Sequence, residues 1–211
     1  MNVLLCGATG LVGSECLRII LSDPRINEIK AIGRRPLGLN DPKLKEFIID
    51  FNELEKCPEA FKADAIICAL GTTIKKAGSQ KNFKVVDYEY PLRIAKMGLL
   101  YGAKHFLLVS AIGANSNSRI FYNRVKGEAE AAITALPYEK ITILRPSLLI
   151  GDRKEFRLGE ELGKRFAFLF PAKYKANKAV KVAQTLVNAV ESAPAGTRVI
   201  SSEEINRVSR D

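Results

Sequence analysis

Three side chains near the middle of this 211-residue sequence could share one piece of acid–base chemistry. Tyr122 and Lys126 have the spacing YxxxK, which on a helix sets the phenol and the ammonium one turn apart on the same face. A nearby cation favours phenolate over phenol. Tyr122 is therefore a usable general acid for an oxygen that gains electron density, such as a carbonyl receiving hydride. Ser110 ends an apolar run twelve residues earlier and could hydrogen-bond the same carbonyl. The alternative for Ser110 is a strand-end serine that caps its local backbone.

A second constellation lies at the N-terminus. Gly7-Ala8-Thr9-Gly10-Leu11-Val12-Gly13 has the spacing GxxGxxG, directly after an apolar run and before a helical pattern. One glycine allows a tight turn, another lets the backbone approach a pyrophosphate, and the last lets the helix pack closely on a sheet. Free N–H groups at that helix start favour phosphate oxygens. Arg34 and Arg35 follow the next apolar run, where an acid would accept from the ribose 2′-hydroxyl of NAD. Arginine suits the 2′-phosphate of NADP instead, one guanidinium forking onto phosphate and one stacking on adenine. Lys126 could then also hold the nicotinamide ribose. Asp50 could accept from the adenine amino group or serve as a turn or N-cap acid.

These residues need a frame. Apolar runs at 2–6, 28–32, 47–49, 65–70, 106–109, 141–144 and 198–200 read as strands. Helical spacing covers 11–21, 85–100, 120–136 and 179–190, with Pro91 placed early in its helix or kinking it. Strands alternating with helices imply an α/β fold, a Rossmann-like doubly wound parallel sheet with helices on both faces. In such sheets ligands bind beyond the carboxyl ends of the strands, where Gly7, Arg34, Asp50, Gly71, Ser110 and Arg145 fall. A single domain over 1–211 is expected, with 151–177 as a lid or substrate-side segment.

Composition narrows the classes. Apolar residues at 47% and charged residues at 27% are those of a globular protein, and no run reaches the length of a membrane span. Four scattered cysteines without a leader pattern imply a reducing, cytoplasmic setting and no disulfide framework. The single His105 leaves little room for a zinc site or a Ser-His-Asp hydrolase. A net charge of +10 raises nucleic acid or another anionic partner, and 151–181 alone carries nine Lys or Arg against four acids. The lysines of 173–181 have only Tyr174 as a stacking ring and no nucleic-acid motif beside them.

With these residues in view, the chain resembles the atypical short-chain dehydrogenase/reductases, in the NAD(P)H-binding branch of the Tat-interacting-protein-like oxidoreductases and their bacterial relatives. The stretches that carry the resemblance are GATGLVG at 7–13, IGRRPL at 32–37, CALGTTIKKAGS at 68–79, VDYEYP at 86–91, FYNRVKGEAE at 121–130 and LRPSLLIGDRKEFRLGE at 144–160. The resemblance implies NADPH lying across the strand ends. Thr9, Gly10, Leu11 and Val12 would meet the pyrophosphate in the cofactor-binding turn bounded by Gly7 and Gly13, and Arg34 and Arg35 would meet the 2′-phosphate and adenine side. Leu70 and Gly71 would line the adenosine ribose, Leu149 would face the nicotinamide end, and Arg157 would reach back over the cofactor. There are departures. Ala111 stands where such proteins usually carry a second serine, and Asp87 lies near the position of a catalytic Asn in many dehydrogenases.

The expected function is an NADPH-dependent reductase of a small carbonyl compound, acting through Tyr122, Lys126 and Ser110 as a monomer or weak dimer. The alternative is a cofactor-sensing protein with little turnover that signals through a protein partner. An extended-type sugar-nucleotide epimerase would need a larger C-terminal lobe than the residues after 145 supply.

Overall fold

The computed structural model describes residues 1–150 and 176–208. Seven parallel strands form one sheet in the order β3-β2-β1-β4-β5-β6-β9. They are β1 (Asn2–Cys6), β2 (Glu28–Gly33), β3 (Leu44–Ile48), β4 (Ala65–Cys68), β5 (His105–Val109), β6 (Lys140–Arg145) and β9 (Gly196–Ser201). A separate pair joins β7 (Leu149–Ile150) to β8 (Asn177–Lys178). Helices α1 (Leu11–Ser22) and α7 (Ala179–Ser192) supply Leu17, Ile20, Leu186 and Val190 to the core on one face. On the other, α2 (Pro58–Phe61), α5 (Tyr90–Leu100) and α6 (Phe121–Thr134) supply Phe61, Ile94 and Ile133. The central strands lie between two apolar layers, which is why β4 and β5 are buried along their whole length and read as unbroken apolar runs. Chain order reverses between β1 and β4, which opens a crevice at their carboxyl ends.

The expected doubly wound sheet is the observed one, with differences at element ends. The third strand starts at Leu44 rather than 47, because its pairing with β2 runs from Ile29↔Leu44 to Gly33↔Ile48. As an edge strand it tolerates the polar Lys45 and Glu46, which hid it from an apolar pattern. The fourth ends at Cys68, two residues early. The helix read over 85–100 begins at 80 as α4 (Gln80–Lys84), widens to a π turn over Val85–Glu89 and continues as α5. Pro91 has no N–H to give the Asp87 carbonyl, and the Tyr90 N–H bonds the Val85 oxygen five residues back. A short helix α3 (Ile74–Ala77) after β4 and a last helix α8 (Ser202–Arg207) were not expected. The latter is set by a capping box between Ser201 and Glu204. Of the segment 151–177, only its last two residues are described. Asn177 is buried and ties the Ser147 N–H to the Ser202 hydroxyl and carbonyl.

The only histidine belongs to this frame. His105 is buried, with Nε2 at 2.9 Å from the Thr142 hydroxyl and Nδ1 at 3.3 Å from the Val190 carbonyl. A carbonyl can only accept, so Nδ1 carries the proton and Nε2 takes the threonine hydrogen. Burial drives its pKa down to about 4, with Lys140 adding to the effect and the Val190 carbonyl opposing it. The unfolded chain therefore takes up a proton that the folded one refuses between pH 6.5 and 4. Stability should fall by about 3 kcal/mol over that window on this account. Denaturant titration of wild type and His105→Gln from pH 7 to pH 4 checks this. The stability gap should narrow by about that amount, and a constant gap would refute it.

Candidate active site

The glycine turn is built as its spacing implies. Gly7 has φ +93°, and a Cβ there would sit 2.7 Å from the Ala69 carbonyl oxygen. A Cβ at Gly13 would overlap the Gly7 carbonyl, so α1 is seated directly on the end of β1. The Gly10 N–H closes the turn onto the Gly7 oxygen at 2.9 Å. Gly10 caps α1 without a side chain, so no side chain competes for the N–H groups of its first turn, the positive end of the helix.

One pocket joins this turn to the end of β2. Gly7, Thr9, Arg34, Arg35, Glu46 and Leu70 are among its lining residues. Two guanidinium groups thus stand over the same cavity as the glycine turn, and β2 ends in Gly33 without an acid. Glu46 was not anticipated. Its Oε2 accepts the Leu37 N–H at 2.7 Å and so fixes the loop that carries the arginines. Asp50 is exposed, is absent from this lining, and accepts the Asn52 N–H at 2.8 Å. That is the turn-acid role named as its alternative.

The YxxxK pair lies on α6 as expected. Tyr122 is half-buried, and its ring packs against buried Phe83 of α4 with centroids 5.4 Å apart. Lys126 is buried, with Nζ 2.8 Å from Asp87 Oδ1. Asp87 is the one buried residue of the π turn, and its Oδ2 accepts the Thr72 N–H at 2.9 Å. Gly71 passes over the pair: a Cβ there would lie 3.4 Å from Asp87 Oδ1 and 3.8 Å from Lys126 Nζ. Burial alone would depress the Lys126 pKa, but Asp87, then Tyr122, outweigh it and hold it above the ordinary lysine value.

Ser110 has a different partner from the one expected. It is buried, and its hydroxyl donates to Glu130 Oε1. Arg145 holds the same carboxylate, with Nε at 3.1 Å from both oxygens. The hydrogen bonds that Arg145 donates to Glu130, opposed by partial burial, hold the guanidinium pKa above its ordinary value. In this structure the Ser110 proton points at Glu130. Glu130 follows Lys126 by one helical turn, so the spacing YxxxKxxxE would have placed it on this face. Leu149 is half-buried in β7 and packs against the α1–α7 side of the core. Arg157 lies outside the described residues.

Of the basic 173–181 stretch, Lys181 gives its ammonium to the Asn206 carbonyl at 2.6 Å and Lys178 is exposed; Lys173 and Lys175 are not described. Among the described residues, no helix is long and apolar enough to cross a membrane, and no group of three or more His, Cys, Asp or Glu side chains could hold a metal ion. All four cysteines are free and buried.

No protein-family model matches the sequence. HTATIP2 of Rattus norvegicus is 35% identical over 193 residues, which cover 90% of this chain and 79% of that protein. FMP52 of Candida albicans, named as mitochondrial, is 38% identical over 160 residues, covering 74% and 70%. Among solved structures, MoeE5 in complex with UDP-glucose and NAD aligns over 97% of this chain and 79% of that one, with TM-score 0.74 at 15% identity. A short-chain dehydrogenase/reductase superfamily protein from Agrobacterium tumefaciens with bound NAD aligns over 95% and 77%, with TM-score 0.71 at 13% identity. At those identities the structural likeness is one of fold.

Proposed function

Because the chain belongs to the atypical short-chain dehydrogenase/reductases, with HTATIP2 and FMP52 as relatives, we propose that it is an NADPH-dependent reductase of a small carbonyl compound. The observation that carries this reading is the single pocket shared by the glycine turn and the Arg34–Arg35 pair. The turn fits a dinucleotide: a Cβ at Gly13 would fill the space between helix and strand, and the start of α1 has no side-chain cap. Thr9, Gly10, Leu11 and Val12 would hold the pyrophosphate in the turn that Gly7 and Gly13 make possible. Arg34 and Arg35 would hold the 2′-phosphate and adenine side. Leu70 and Gly71 would border the adenosine ribose, Leu149 the nicotinamide end, and Arg157 would close over the cofactor. NADPH, when bound, supplies the hydride. Tyr122 gives its proton to the substrate oxygen, and the Lys126 charge supports the phenolate left behind. The Ser110 hydrogen bond to Glu130 leaves the phenol as the proton donor at that oxygen.

The double variant Arg34→Ala/Arg35→Ala tests the cofactor assignment. Charge-assisted bonds to a phosphate are each worth about 1.5–3 kcal/mol. NADPH affinity should fall by about 100-fold or more, and NADH affinity, which loses only the adenine stack, by about tenfold or less. Equal losses for both dinucleotides, or none, would overturn the 2′-phosphate role.

One observation favours a second reading. Ser110 is held by Glu130, and Ala111 stands beside it in place of a second serine. A protein that binds NADPH, turns over slowly and signals through a partner would tolerate both. Tight NADPH binding without turnover, with partner affinity and cofactor affinity changing by the same factor, would select it. Four free, buried cysteines suit a reducing compartment, of which the cytoplasm is the one proposed.

A further inference from the structure

We propose that Asp87 is a positioning residue for Lys126: its carboxylate, anchored on the Thr72 N–H, fixes the ammonium under Gly71 and keeps it charged in a place closed to water. The geometry is specific. Both side chains are nearly inaccessible, at 1% and 7% exposure, with Nζ and Oδ1 2.8 Å apart. The two Asp87 oxygens are divided between jobs, Oδ1 on the ammonium and Oδ2 on the backbone after β4 at 2.9 Å. Three elements are thereby tied at one point: the β4 loop, the π turn and α6.

A lysine side chain turns about several bonds and, when buried, sheds its proton readily. Neither tendency suits a group that must carry charge one turn from Tyr122. A carboxylate at 2.8 Å removes both. The titratable groups facing Lys126 are Asp87 from the π turn, Tyr122 from its own helix and Cys68 from β4. Burial raises the Cys68 thiol to about 12, so it stays neutral. Asp87 is thus the fixed negative charge of the group. An asparagine at 87 could still accept from Thr72, but it would leave the ammonium without a counter-charge. The aspartate at this position therefore has a task of its own, distinct from hydrogen bonding.

For turnover this inference rests on the proposed reductase reading, but its first readout needs no cofactor. In protein labelled with 13Cε-lysine, the Lys126 resonance, assigned by its loss in Lys126→Met, is followed against pH in wild type, Asp87→Asn and Asp87→Glu. Wild type should stay charged beyond pH 10. Asp87→Asn should lose the proton at least about one pH unit lower, a tenfold change in proton affinity, and Asp87→Glu should recover most of the difference. In Asp87→Asn, NADPH affinity read by fluorescence should acquire an alkaline decline at the same pH. Identical Lys126 titration in wild type and Asp87→Asn would overturn the proposal. Wild type that binds no NADPH would sink the reductase reading and leave the Lys126 titration to decide this one. Should Asp87→Asn fail to fold, adding Lys126→Met must restore folding, since the fault is an unpaired buried charge; failure to restore it counts against the proposal.

Discussion

Tyr122→Phe should keep the fold and the cofactor and lose the reaction. The ring that packs on Phe83 at 5.4 Å is retained, and only the hydroxyl goes. The Lys126–Asp87 pair does not use that hydroxyl. The glycine turn joins β1 to α1 and the two arginines lie in the loop after β2, away from α6. NADPH affinity should therefore stay within about threefold, while turnover on any accepted carbonyl falls by about 10²–10⁴-fold, the usual worth of a positioned general acid. Steady-state NADPH oxidation across a panel of aldehydes and ketones reads the turnover, and fluorescence titration reads the binding. Equal rates in the two proteins would remove Tyr122 from the mechanism. A parallel loss of binding would mean that the phenol holds the cofactor rather than the proton.

Gly13→Ala should be among the most damaging single-methyl changes in the described part of the chain. The added carbon would overlap the Gly7 carbonyl and come 3.1 Å from Ala8 Cα, and both are backbone. No side chain can move aside, so α1 must lift from β1. Overpacking of this kind costs about 1–3 kcal/mol where neighbours can adjust, and more where they cannot. The same shift would spoil the alignment of the first-turn N–H groups, so a loss of more than tenfold in NADPH affinity should accompany the loss of stability. Gly33→Ala is the control: its Cβ would lie 3.5 Å from the Arg35 oxygen, an ordinary contact. Chemical denaturation of the two variants checks the contrast. A Gly13→Ala protein as stable as wild type would show that the tight helix–strand seat is not needed.

What the sequence made legible follows from what is local. β1, β4 and β5 lie between two layers of helices and announce themselves as apolar runs. The glycine turn and the YxxxK pair are short-range patterns, and both stand where their spacing implies. β3 was misread at its start because an edge strand need not be apolar, and Lys45 and Glu46 broke the run. Pro91 is expected early in its helix or at a kink, and it stands at the start of α5 behind a π turn that its missing N–H explains. The capping box of α8 was there to be read in Ser201 and Glu204. Partners distant in sequence left no local sign. Asp87 meets Lys126, and Ser110 meets the Glu130–Arg145 pair, only after the sheet has brought their elements together.

The account depends on the first βα turn and the guanidinium pair recognising one dinucleotide. Isothermal titration of the full chain with NADPH and NADH, side by side at the same ionic strength, tests this most directly. The account predicts one site per chain for NADPH and an affinity for NADH at least about tenfold weaker, the difference carried by the 2′-phosphate. Heat from neither dinucleotide, or NADH bound as tightly as NADPH, would contradict it.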